Sequence, residues 1–237
     1  MAKRITAILL ALCLLCSAVL CFAEDLDDED DSGFVSLDDD GFDDEEQKTD
    51  FKSVSTYNVK TSRQNDFVYR LTDDGKAAIL TSYTGENSDV VFPAEVENRI
   101  PVIAIDTGMC QNNPVIVNVR IPGSVRTIGN VAFSSCPNLK SVTLEEGLLQ
   151  IGMCCFGGCP ELTDIKLPDS LEIVDNFVFA KCAALEEVVF GTRLKSIGMK
   201  AFFGCENLVR ITVPGGDGVA MGDEMFLECP NEVEIVY

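Results

Sequence analysis

Between Ile105 and Tyr237 the apolar positions of this chain recur with a fixed period. Phe133, Phe156, Phe179 and Phe202 stand 23 residues apart, and Phe226 follows after 24. Cys136, Cys159, Cys182 and Cys205 keep the same step, with Cys229 one residue late after an insertion in "PGGDGVAM". Ile105, Ile128, Ile151, Val174 and Ile197 form a further column whose last place goes to Met221. Each copy then closes on an alternation. Ile116, Leu139, Leu162, Leu185 and Leu208 open it. The columns Val119/Val142/Ile165/Val188/Ile211/Ile235 and Ile121/Leu144/Leu167/Phe190/Val213/Tyr237 complete it. Period-two alternation predicts a short strand, with Val142 and Leu144 inward and Ser141 and Thr143 outward, ended by a proline that donates no ladder hydrogen bond. The segment "IGNVAFSSC" predicts the return along the opposite side, as a short strand leading into a helical or 3-10 turn.

One copy cannot bury its apolar set alone, whereas stacked copies place each column in register with itself and fuse the columns into one core. The pattern therefore predicts a solenoid. A compact apolar side chain with a weak donor fits a crowded coil where a larger one would overpack, which accounts for the cysteine column. Coils spaced by roughly 4.8 Å bring stacked cysteines near disulfide distance. Two readings stand: a ladder of buried thiols, or pairing favoured by export among the eight cysteines that follow residue 23. Cys110 falls in the phenylalanine column and Asn113 in the cysteine place, marking the first coil as atypical. Cys155 shares a column with Met109, Ala132 and Val178 and is expected to be buried. Cys154 shares one with Gly108, Val131, Phe177, Lys200 and Glu224, a variable set that points to solvent. A metal site in "CCFGGC" would need ligands converging from opposite faces, so none is assigned.

Composition places this core within the chain. Residues 1–23 carry Lys3 and Arg4, then "ITAILLALCLLCSAVL", then "CFA" before Glu24, the layout of a secretory signal peptide cut after Ala23. The run is short for the ~20 residues of a membrane span and lacks a basic stop, so no membrane insertion is expected after cleavage. Cys13, Cys16 and Cys21 each follow a leucine, unlike a lipidation site. From Glu24 to Asp50 there are 15 acidic residues against the single Lys48. Such a segment repels itself and is expected to form a solvated spacer over 24–56. "DDEDDSG" partly imitates a calcium loop, but the twelfth position counted from Asp28 is Asp39 rather than glutamate. A net charge of −21 argues against nucleic acid as a partner, which needs a basic face.

The pattern "IGxxAFxxCxxLxxVxLPxSLxx", present here as "IGNVAFSSCPNLKSVTL" and "LPDSLEIV", resembles the BspA-like leucine-rich repeats of bacterial surface and secreted proteins across residues 105–237. "DFVYRLTDDGKAAILTSYTGENSDVVFPAEV" is similar to the β-rich segment that introduces such arrays. The resemblance implies a curved solenoid used for adhesion and protein contact, without catalytic residues to carry over. The expected fold is an α/β leucine-rich-repeat solenoid, strand-dominated. It would have a parallel β-strand face, short strand, 3-10 or helical turns on the opposite side, and a small β-rich N-terminal cap. The expected boundaries are a signal peptide at 1–23, a spacer at 24–56, a cap at 57–100 and an array of about six coils at 101–237. The chain departs from the pattern at Asp175, which replaces a glycine, and at Glu232, which replaces a leucine. No cap is evident after Tyr237, so a weak homodimer through the C-terminal edge is expected.

The chain has no histidine, which removes the usual general base and the commonest metal ligand. Asp164 and Glu187 would stand on adjacent coils, at a spacing near the ~5–5.5 Å of retaining glycosidase carboxylates. A sheet face with Lys166 and Arg210 nearby is not a cleft, and they read as solvated charge. No catalytic residue, metal or cofactor is assigned, and the protein is not expected to be an enzyme. The expected site is the open strand face, about six strands or ~25–30 Å wide. It would hold a protein or glycan partner through Asn118, Arg120, Ser141, Thr143, Asp164, Lys166, Glu187 and Arg210, in a secreted or surface-associated protein.

Overall fold

The computed structural model describes residues 61–237. The signal peptide read at 1–23, the spacer read at 24–56 and the first residues of the cap lie outside the described residues. The N-terminal strands are β1 (Thr61–Gln64), β2 (Phe67–Leu71), β3 (Ala78–Tyr83), β4 (Asp89–Val91), β5 (Glu95–Val96) and β6 (Ile100–Ile105). Beyond them each coil contributes one strand to a front face and a two-residue strand to the back. In chain order these are β7 (Asn118–Ile121), β8 (Thr127–Ile128), β9 (Ser141–Leu144), β10 (Gln150–Ile151), β11 (Asp164–Lys166) and β12 (Ile173–Val174). They continue with β13 (Glu187–Val189), β14 (Ser196–Ile197), β15 (Arg210–Thr212), β16 (Ala220–Met221) and β17 (Glu234–Val236).

The back strands form one sheet in the order β1-β2-β3-β6-β8-β10-β12-β14-β16, parallel from β3 onward, with β5 antiparallel on β6. The front carries β4-β7-β9-β11 and, separately, β13-β15-β17, all parallel and in register. This is a strand-dominated solenoid of about seven turns. The seventh turn comes from β4, which pairs with β7 as Asp89↔Asn118 and Val91↔Arg120. The N-terminal strands and the array therefore share both sheets.

The expected helical or 3-10 return takes the form of isolated i→i−3 turns; among the described residues the continuous 3-10 segments are Glu97–Arg99 and Gly216–Gly218. The reason lies in the hydrogen bonds. Alternate turn N–H groups donate forward to the next coil: Val131 to Met153, Phe133 to Cys155 and Ser135 to Gly157, at 2.8–2.9 Å. Cys154, Phe156 and Gly158 repeat this one coil later, to Asn176, Val178 and Ala180. The N–H groups between them close single turns within the coil, Ser134 to Val131, Cys155 to Gly152 and Gly157 to Cys154, and with every other N–H committed between coils these turns do not run on into a helix. Two positions per turn take left-handed backbone: the column Gly108, Val131, Cys154, Phe177, Lys200, Glu224, and the column Asn112, Ser135, Gly158, Lys181, Gly204, Glu228. For a residue other than glycine this conformation costs about 1–2 kcal/mol, offset here by the intercoil bonds.

Inside, Phe133, Phe156, Phe179, Phe202 and Phe226 stack with ring centroids 5.5–5.9 Å apart and near-parallel planes. Phe92 caps the stack edge-on at 5.7 Å from Phe133. Offset aromatic pairs of this kind contribute about 0.5–1.5 kcal/mol each beyond their buried area. The alternation columns are inward as expected, and Val125, Leu148, Leu171 and Leu194 add a further buried column. The glycine of each "IG" pair answers to close approach. A Cβ on Gly198 would lie 2.5 Å from the backbone of Asp175 and Asn176 in the preceding coil. Where Asp175 departs from glycine, its carboxylate accepts the Asn176 N–H at 2.7 Å.

The cysteine column has a specific chemical role. Each thiol donates to a main-chain carbonyl one coil back: Cys136 to Cys110, Cys159 to Phe133, Cys182 to Phe156, Cys205 to Phe179 and Cys229 to Phe202, at 3.1–3.2 Å. The described cysteines are free thiols. In the first coil Asn113 substitutes for this device, its Oδ1 accepting the N–H groups of Val115 and Ile116. Cys155 is fully buried. Cys154, expected at the surface, is 4% exposed. Its column takes left-handed backbone throughout, and Cys154 is the buried member among neighbours that are part-buried or exposed.

Candidate partner-binding face

Alternation along each front strand sends two residues outward, and the register aligns them into two columns. The first runs Asp89, Asn118, Ser141, Asp164, then Glu187, Arg210, Glu234. The second runs Val91, Arg120, Thr143, Lys166, then Val189, Thr212, Val236. All eight residues expected at the site stand on this front.

The expected single face is corrected in one respect. Asn118, Arg120, Ser141, Thr143, Asp164 and Lys166 belong to one sheet, and Glu187 and Arg210 to another. The ladder stops where Asp164 stands beside Glu187, the one place in either column where like charges are neighbours. Opposed like charges destabilise strand pairing.

Elsewhere the polar groups are organised across coils. Asn118 Nδ2 donates to Asp89 Oδ1. Arg210 is clamped by two carboxylates, at 3.0 Å from Glu187 and 3.0 Å from Glu234. Arg120 reaches the carboxylate of Glu145 at the end of β9, at 2.6 Å, and Glu145 also accepts the Gly123 N–H. The hydrogen bond from Arg120, then that from Gly123, holds the Glu145 carboxyl below its ordinary range. Glu187 is thus committed to Arg210 rather than paired with Asp164 over a substrate. Between these charges Val91 is 68% and Val189 57% exposed, which makes the front a mosaic of oriented charge and isolated aliphatic contact.

Asp89 and Val91 were beyond the repeat as read from its 23-residue step, because β4 precedes β7 by 29 residues. The signal was present in "DVVFP", which copies the strand-then-proline of "NVRIP" and "DIKLP".

A solenoid of stacked strand-and-turn coils, with an ordered polar front and no helical layer among the described residues, defines a repeat protein of the leucine-rich class. The BspA type leucine rich repeat region matches residues 104–232 in six copies, and the chain belongs to this family. Among solved structures it is similar to a leucine rich cell surface protein from Faecalibacterium prausnitzii A2-165, at 27% identity and a TM-score of 0.63, covering 74% of this chain and 54% of that one. The chain thus spans about half of that protein. It is also similar to the leucine rich repeat protein of T. pallidum, at 30% identity and a TM-score of 0.62, covering 74% of this chain and 86% of that one. The pneumococcal vaccine antigen PcpA shares the fold, at 20% identity and a TM-score of 0.63, over 75% of this chain and 50% of that one. No curated protein matches the chain.

Proposed function

We propose that the protein is exported and acts at the cell surface as a non-enzymatic binding module, holding a protein partner on its front strands. The observation that carries this reading is the mosaic itself. Exposed Val91 and Val189 lie among side chains whose directions are fixed by cross-coil bonds: Asn118 by Asp89, Arg120 by Glu145, and Arg210 by Glu187 and Glu234. Preoriented polar groups around small apolar anchors lower the ordering cost of association. The similarity to a described cell surface protein at 27% identity supports placement outside the cytoplasm, as does the leader read at 1–23. The acidity of the chain fits partners other than nucleic acid.

The test replaces Asn118, Lys166, Val189 and Arg210 together by alanine. Wild-type and variant proteins are then presented to extracellular matrix proteins, to glycans and to envelopes of neighbouring cells. Capture of a protein partner by the wild type and its loss in the variant, with the unfolding midpoint unchanged, is the expected outcome. Equal capture by the variant refutes the face, and capture of glycan alone refutes a protein partner.

A second reading is self-association through β17, which has a ladder partner on one side, β15, and beside which Tyr237 is 63% exposed. Mass that rises with concentration and is unaffected by the four alanines favours that reading.

A further inference from the structure

We propose that the solenoid is hinged between its fourth and fifth front strands, so that the front is two plates that open and close about a continuous back. Four observations locate the hinge. First, among the described residues no backbone hydrogen bond joins β11 to β13, although both neighbouring interfaces are fully laddered. Second, the core reaches the surface there: inward Ile165 is 9% exposed against 0% for Val142 and 1% for Val188, and Leu167 is half-buried while Leu144 and Phe190 are buried.

Third, the same two coils are held on every other side. On the back, Gln150 pairs with Ile173 and Ile151 with Val174. At the return turn, Cys154, Phe156 and Gly158 donate to Asn176, Val178 and Ala180, and Phe156 stacks on Phe179 at 5.8 Å. At the remaining corner, the Glu146 carboxylate accepts the N–H groups of Asp169 and Ser170, and the Ser170 hydroxyl donates to Leu148 O. Three bonded sides and one open side leave rotation about the back as the compliant motion.

Fourth, the open side carries its own cause. Asp164 and Glu187 are like charges on adjacent strands, and Lys166 faces the apolar Val189 across the same gap. Every other pair of neighbours in the two columns is neutral, mixed or ion-paired. Opening exposes the peptide groups of both strands, and closing brings the two carboxylates together, so neither state is strongly preferred. The angle between the plates sets the distance from Asn118, Arg120 and Lys166 on one to Glu187 and Arg210 on the other. The hinge stands on backbone pairing and burial, independently of any bound partner.

Residue-resolved amide hydrogen exchange of the folded protein tests this, with each rate corrected for its intrinsic value. In parallel strands alternate N–H groups face opposite neighbours. Phe190 donates to Thr212 in β15, so the amides of Ile165, Leu167, Glu187 and Val189 face the gap, while those of Val188, Phe190, Arg210 and Thr212 face a closed ladder. The gap-facing set is expected to exchange at least about tenfold faster than the ladder set, as local opening below the global barrier allows. Asp164→Asn, at an exposed position, is expected to slow the Glu187 and Val189 amides about threefold or more and to leave Arg210 and Thr212 unchanged. Equal protection of the two sets overturns the hinge, and indifference to Asp164→Asn overturns charge opposition as what holds it open.

Discussion

The thiol ladder predicts a sharp alkaline limit to stability. A folded thiol held out of water resists ionisation, because the thiolate would lose its hydration without gaining a counter-charge. Burial pushes Cys182 up to about 12, and it pushes Cys110, Cys155 and Cys205 up as well. In the unfolded chain each of these thiols ionises from about pH 8.5. Between that value and the raised folded value the unfolded state binds fewer protons, so stability falls as pH rises. The contribution is fully present below about pH 8.5 and disappears towards pH 12.

Each such thiol takes away about 1.4 kcal/mol per pH unit within the window, and the four of them about 6 kcal/mol per unit. Because whole domains are stable by only about 5–15 kcal/mol, the protein is expected to unfold near pH 10. The assay is urea denaturation followed by circular dichroism, under a reductant, at half-unit steps from pH 7 to 10.5, with thiolate absorbance recorded alongside. The midpoint should hold to about pH 8.5 and then collapse, with the thiols of Cys110, Cys155, Cys182 and Cys205 ionising only as structure is lost. Cys182→Ala should make the decline shallower by about 1.4 kcal/mol per unit, even though it costs stability at neutral pH. A flat midpoint to pH 10, or ionisation of these four thiols while the fold persists, refutes their burial.

The aromatic stack and the charged front give two further expectations. Phe179→Ala removes a ring between two stacked neighbours and should cost about 3–5 kcal/mol in urea unfolding. Phe226→Ala, at a half-buried ring stacked on Phe202, should cost about half as much, and equal losses would contradict a continuous stack. On the front, the lowered Glu145 carboxyl stabilises the fold above its unfolded value of about 4.3, and this is lost as pH falls through the lower folded value. The pair with Arg120 is largely exposed, so Arg120→Ala should cost under about 1 kcal/mol at pH 7. Thermal unfolding should show that gap narrowing as pH falls below about 4.3, and a gap that is unchanged in acid would rule out the ion pair as its source.

How much of this was legible beforehand follows from what each feature depends on. Columns such as Phe133 to Phe226 and Val119 to Ile235 are imposed by stacking itself. Any residue in them meets its own counterpart, so a bare period in the sequence reveals both the core and the outward pair on every strand. Features that depend on the neighbouring coil's backbone were not legible in this way. A variable column such as Gly108 to Glu224 looks like solvent exposure when the sequence is read alone. It is instead a left-handed position whose side chain is covered or bare according to its neighbours, which is why Cys154 is buried. The return turns look helical by length, yet every other N–H goes to the next coil. The division of the front between β11 and β13 was visible in principle as Asp164 beside Glu187. Two carboxylates at strand spacing invite either a catalytic pair or a broken ladder, and what separates these readings is the third charge. Arg210 lies on the far side of Glu187 and draws it into β15's network, which leaves Asp164 without the counter-charge that would draw the two sheets together.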